Sequence, residues 1–197
     1  MHSAGLAVIR GVFMVALGCT AVGARVSSVD VAGRVTLGGK PAPDVVVWLE
    51  GARAAAAPSS GRPVLDQRNL QFAPRVLAVR IGTTVEFPNN DRVFHNVFSF
   101  RDGKKFDLGI YPIGSVKHVH FDKPGVSRLF CNIHPRMAAY VISVDSPHFA
   151  VSDGSGNFTL PDVASGTYTY HAWRAGGSSL SGTVVVEPGT RLDLQWP

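Results

Sequence analysis

From residue 28 onward the chain alternates. Residues 29–37 read Val-Asp-Val-Ala-Gly-Arg-Val-Thr-Leu. Apolar and polar positions there recur with a period near two, which fits a half-buried strand and not a helix. Residues 38–43 (Gly-Gly-Lys-Pro-Ala-Pro) are turn formers, and residues 45–49 (Val-Val-Val-Trp-Leu) are an apolar run of strand length. Residues 52–62 form an Ala/Pro/Ser/Gly connector without periodicity. A second block follows. It has strands at 75–81 and 83–87 around Gly82, a Pro-Asn-Asn-Asp loop at 88–91 and renewed alternation over 115–122. After a turn at 123–125, a strand at 126–130 runs into Cys131, and a strand at 138–144 closes the block. The third block places an Asp-Gly-Ser-Gly turn at 153–156 between strands at 150–152 and 158–160, then strands at 166–170 and 183–187. No segment shows a helical period and no tandem repeat is visible. Many short strands at roughly 8–12-residue spacing predict an all-β chain of sandwiches or barrels.

Composition agrees with that pattern. Of 197 residues, 21 are Gly and 13 are Pro, which supplies many turns, while charged residues are only 17%. A hydrophobic content of 45% is enough for a buried core and argues against disorder. The net charge of +5 suits an acidic partner or an anionic surface, but it is too diffuse to imply nucleic acid. Residues 1–24 read as an export signal, with Arg10 ahead of a short apolar stretch at 11–18 and small residues at 22–24 for cleavage after Ala24. The stretch is too short to span a bilayer, so no membrane span is expected. Leu17-Gly18-Cys19 offers a lipid-attachment alternative, with Ala16 where a larger aliphatic is wanted. The expected location is the periplasm.

Export sharpens the cysteine arithmetic. If Cys19 leaves with the signal, the mature chain keeps Cys131 alone. In an oxidising compartment that thiol is buried and inert, paired with another chain, or bound to a metal. Its surroundings favour metal. Cys131-Asn-Ile-His134-Pro-Arg-Met137 holds three ligand types in one inter-strand loop, and His95 begins another strand after an Asn-rich loop. Two imidazoles, a thiolate and a thioether form the donor set of a blue-copper site. Soft sulfur suits Cu(I), imidazole suits both oxidation states, and the metal holds the cysteine as thiolate.

Residues 64–146 resemble a cupredoxin, in the segment Val85-Glu-Phe-Pro-Asn-Asn-Asp91 with His95-Asn96-Val97 and in Phe130-Cys131-Asn-Ile-His134-Pro-Arg-Met137. The short gaps are similar to those of amicyanin. The resemblance implies a Greek-key β-sandwich holding one type 1 copper per chain. In it His95, Cys131 and His134 are equatorial ligands, Met137 is axial, and Asn96 ties the two ligand segments by a hydrogen bond. The flanks resemble a carboxypeptidase-regulatory-like, transthyretin-like sandwich. The residues that carry this are a hairpin at 31–47 and the stretch Ser152-Asp-Gly-Ser-Gly-Asn-Phe-Thr-Leu160 with Gly166-Thr-Tyr168. Residues 28–57 and 147–197 are therefore expected to form one discontinuous sandwich into which 64–146 is inserted. Two units in series are the competing arrangement. The whole is similar to bacterial methylamine-utilisation or plastocyanin-like proteins.

The resulting expectation is a periplasmic electron carrier and not an enzyme. Its partners would be redox proteins such as a c-type cytochrome or a periplasmic dehydrogenase. His134 would offer the exposed edge, with Arg92, Arg101, Lys104, Lys105 and Arg136 around it to steer an acidic partner. A copper carrier or sensor without electron transfer, and a structural β-module with a vestigial site, are the competing readings. His118 and His120 stand two apart on one strand and face the same side, but no third ligand is near them in sequence.

Overall fold

The two long apolar runs of the sequence, near residues 46 and 141, lie where two β-sandwiches meet. The structure, a computed structural model, describes residues 28–51, 62–100, 102–177 and 179–197. The expected signal segment with Cys19, nearly all of the 52–62 connector, and Arg101 lie outside the described residues. Among the described residues all regular structure is strand.

One sandwich is built from both flanks of the chain. Its first sheet centres on β1 (Ser28–Leu37), onto which the short β2 (Lys40–Pro41) folds back. Its facing sheet contains β3 (Val46–Glu50). The remaining strands of this sandwich come late in the chain. They are β13 (Phe149–Val151), β14 (Asn157–Ala164), β15 (Gly166–Trp173), β16 (Leu180–Val186) and β17 (Leu194–Trp196). β1 pairs antiparallel with β14 and parallel with β17, so that Leu37 lies opposite Trp196. The facing sheet has the order β13-β3-β15-β16. Val31, Val35, Val47, Leu49, Leu160 and Trp196 fill the space between the sheets. Gly33 is needed for close approach, since a Cβ there would lie 2.1 Å from the Leu192 carbonyl oxygen.

The middle of the chain forms the other sandwich. Its strands are β4 (Asp66–Arg68), β5 (Gln71–Ala73), β6 (Val76–Arg80), β7 (Thr83–Pro88), β8 (His95–Ser99), β9 (Phe106–Tyr111), β10 (Val116–Phe121), β11 (Gly125–Phe130) and β12 (Ala138–Val144). One sheet has the order β6-β12-β11-β8-β9. The other pairs β7 with β10 in antiparallel register. The segment before β4 runs beside β7, with Leu65 N donating to Glu86 O and Glu86 N donating to Pro63 O, both at 2.9 Å. Val85, Phe87, Val97, Phe121, Leu129 and Val141 pack between these sheets.

A third apolar cluster joins the sandwiches. On β3, Val47 and Leu49 face one core, while Val46 and Trp48 face the neighbouring sandwich. On β12, Ala139 and Val141 face inward, while Tyr140, Ile142 and Val144 face Val46 and its neighbours. Alternate side chains point to opposite faces of a strand, so both strands must be apolar at consecutive positions to be covered on both sides. The Tyr140 and Trp173 rings lie 5.1 Å apart across this seam.

Candidate metal centre

Strand pairing brings the ligand residues together. β11 and β8 are hydrogen-bonded neighbours, with Phe130 opposite Phe98. Cys131 follows β11 directly and His95 opens β8, so the two reach the same end of the sheet. The loop 131–137 then turns back into β12, held by Met137 N donating to His134 O at 2.9 Å. In this way the loop places His134 beside the other two.

The donor atoms form a tight triangle. Cys131 Sγ lies 3.9 Å from His95 Nδ1 and 3.7 Å from His134 Nδ1, and the two Nδ1 atoms are 3.1 Å apart. A triangle with these edges has a point about 2.1 Å from all three corners, which is the length of an imidazole or thiolate bond to a first-row ion, roughly 2.0–2.3 Å. The residues therefore fit one metal ion by distance and by donor chemistry. Among the described residues this is the one group of three or more His, Cys, Asp or Glu side chains whose donors gather this closely. His95 and Cys131 are buried and His134 is half-buried, so the site is closed inward and open at one imidazole. Met137 is buried in the same core cluster as Cys131, beneath the loop.

Two residues orient the ligands. Asn96 accepts from Asn132 N at 3.4 Å and donates to Asp107 Oδ1 at 2.7 Å, joining β8 to the cysteine loop and to β9. Asp91 is the residue that sequence reasoning missed. Its Oδ2 lies 2.9 Å from His95 Nε2 and accepts from Leu70 N at 2.7 Å, while Oδ1 accepts from Arg92 N at 2.8 Å. These bonds hold its carboxyl down at about 2, the largest part coming from the Leu70 N–H. An ionised carboxylate at Nε2 keeps the proton on that nitrogen and leaves Nδ1 free to face the thiol. The only sequence signal was an acid four residues before a histidine, inside a loop rich in turn formers. Tyr111, buried nearby and hydrogen-bonded to Gln67 and to Phe87 O, has its phenol pushed up by desolvation and stays neutral.

The surface around His134 is mixed. Val93, Phe94 and Ile133 expose 41%, 57% and 41% of their surface beside the ligand segments. An open groove runs between the β4–β5 hairpin and the ligand loop, lined by Leu70, Phe72, Arg75, His134, Arg136 and Met137. Arg136 lines the groove beside His134, and Arg92 follows Asp91 in the loop before His95. Lys104, expected beside them, lies elsewhere. It donates from Nζ to Asp122 and from its backbone N–H to Ser127 Oγ, which puts Lys104 and its neighbour Lys105 at the opposite end of the sheet. The physical reason is the β8–β9 hairpin, whose connection lies a full strand length away from His95.

Comparison with known proteins gives partial likenesses. A family model described as polysaccharide lyase family 4, domain II, matches residues 148–194, within the flanking sandwich. Among solved structures the chain is similar to a purple cupredoxin from Nitrosopumilus maritimus, at 24% identity over 42% of this chain and 99% of that one, with a TM-score of 0.39. It is also similar to a copper-containing nitrite reductase from Thermus scotoductus SA-01, at 24% identity over 47% of this chain and 25% of that one, with a TM-score of 0.41. A reduced amicyanin variant matches at 21% identity over 50% of this chain and 98% of that one, with a TM-score of 0.41. No curated protein matches.

Proposed function

We propose that this chain is an exported type 1 copper protein that carries electrons between redox proteins and catalyses no reaction of its own. The observation that carries the reading is the convergence of Cys131, His95 and His134 into one triangle of bond-compatible size. A copper ion held there would supply one-electron exchange between Cu(I) and Cu(II). Cys131 would bind as thiolate, His95 and His134 through Nδ1, and Met137 as the weak axial donor. Asp91 and Asn96 hold the donors in place before any ion arrives, which limits rearrangement between oxidation states. His134 is the half-buried member of the triangle, and its chain neighbours Ile133 and Pro135 are exposed beside it. A redox partner such as a c-type cytochrome or a periplasmic dehydrogenase would dock there, steered by Arg92 and Arg136.

The test is titration of the purified chain with copper, followed by absorption spectroscopy and chemical reduction. One equivalent of copper, an intense visible band that disappears on reduction and returns on reoxidation, and loss of that band in Cys131→Ser are the expected results. A colourless complex would instead mark a copper carrier or sensor. Failure to bind copper stoichiometrically would leave a structural module.

A further inference from the structure

The outer face of the β7–β10 pair carries a second set of metal-ligating side chains, away from the triangle. On β10 the inward positions are Val119 and Phe121, both buried, which leaves His118 and His120 side by side on the outer face. The sequence supplied no third donor, but the register does. His118 lies opposite Glu86 on β7, and His120 lies opposite Thr84. Glu86 Oε1 is 3.4 Å from His118 Nε2, so one imidazole and one carboxylate are already in contact. His120 Nδ1 is 3.1 Å from Thr84 Oγ1, an exposed bond that a metal ion can displace. One further acid closes the row. Asp122 follows at the same two-residue step and is paired with Lys104 Nζ at 3.0 Å.

We propose that His118, His120 and Glu86 form a surface site for a divalent transition-metal ion of the zinc type, distinct from the copper triangle. Three protein ligands, two imidazoles and one carboxylate, are a known sufficiency for such an ion, with water completing the shell. Two histidines one step apart on the same strand face stand about 7 Å apart at their backbones, and their rings close on a shared ion by tilting toward each other. The donors need only rotate. All three side chains lie on the solvent side of the sheet, and among the described residues the one competing ion pair at Glu86, to Arg62 Nη1 at 3.2 Å, is exposed and weak. Soft sulfur is absent from the set, so the site selects against Cu(I) and takes borderline ions such as Zn(II). The chain would thus hold a redox ion in its thiolate site and a redox-inert ion on its surface.

The test is calorimetric titration of the full-length mature chain with Zn(II) alone, on the wild type, on Cys131→Ser and on the double variant His118→Gln/His120→Gln. The expected result is two zinc equivalents in the wild type. One of them should be lost in the histidine variant, and the other in Cys131→Ser. In the histidine NMR spectrum, His118 and His120 resonances should shift on zinc addition to Cys131→Ser. Unchanged stoichiometry in the histidine variant, or unshifted His118 and His120 signals, would overturn the surface site while leaving the copper reading intact. Loss of zinc only in the histidine variant would uphold the surface site and count against the triangle. Both replaced histidines are exposed, so an unaltered melting temperature checks that the variant is folded.

Discussion

At the scale of single residues the site depends on a carboxylate that binds no metal. Asp91 is the partner of His95 at Nε2, and it is itself gripped by two backbone N–H groups. Asp91→Ala removes that acceptor and strands a buried imidazole N–H, which should cost about 1–3 kcal/mol in urea unfolding of the metal-free chain. Copper affinity by competition titration should fall about 10–100-fold, because the ring loses its orientation. Asp91→Asn keeps an acceptor and should fall between that variant and the wild type. The cluster of Cys131, His134 and His95 was legible in the sequence, since Cys131 and His134 share one short loop and His95 opens a strand after an Asn-rich loop. Asp91 was not, because its role depends on the Leu70 N–H, which reaches it from a separate hairpin. The spacing of His95 showed nothing of that contact.

At the scale of elements, the readable strands were those with a clean period or a long apolar run. β1, β3, β7, β10, β11 and β12 follow from such patterns. β9 was missed because Asp107 and Gly109 interrupt it, and Gly109 takes a φ of +65° that breaks strand periodicity. β4, β5 and β17 have three residues each, too few for a period to register. β14 runs beyond residue 160 because Pro161 and the positive-φ Asp162 sit at an irregularity in its ladder with β1. The two-faced strands make a quantitative prediction. Ile142, 2% exposed in the seam, should cost about 2–5 kcal/mol when truncated to Ala. Ile110, 63% exposed, should change stability by no more than about 0.5 kcal/mol. Denaturant midpoints of the two variants test the contrast directly.

At the scale of the molecule, the apolar seam decides how the sandwiches behave. Val46, Val76, Ala78, Ile142 and Val144 are buried between them, a surface that neither sandwich can leave bare in water. Calorimetry of the whole chain should therefore show one unfolding transition. Residues 62–146 expressed alone should self-associate through the uncovered face of β6 and β12, which light scattering would detect. Two separate transitions, or a monomeric and stable 62–146 fragment, would contradict this coupling. The pairing of Leu37 with Trp196 has a consequence for how the protein comes into being. The ribosome makes β1 (Ser28–Leu37) long before β17 (Leu194–Trp196), the partner strand that completes its sheet. The sandwich of β4 to β12 can close while that strand is still unmade, and a nick or stop near residue 190 would leave β1 without that edge, ready for a protease or a neighbouring chain to find.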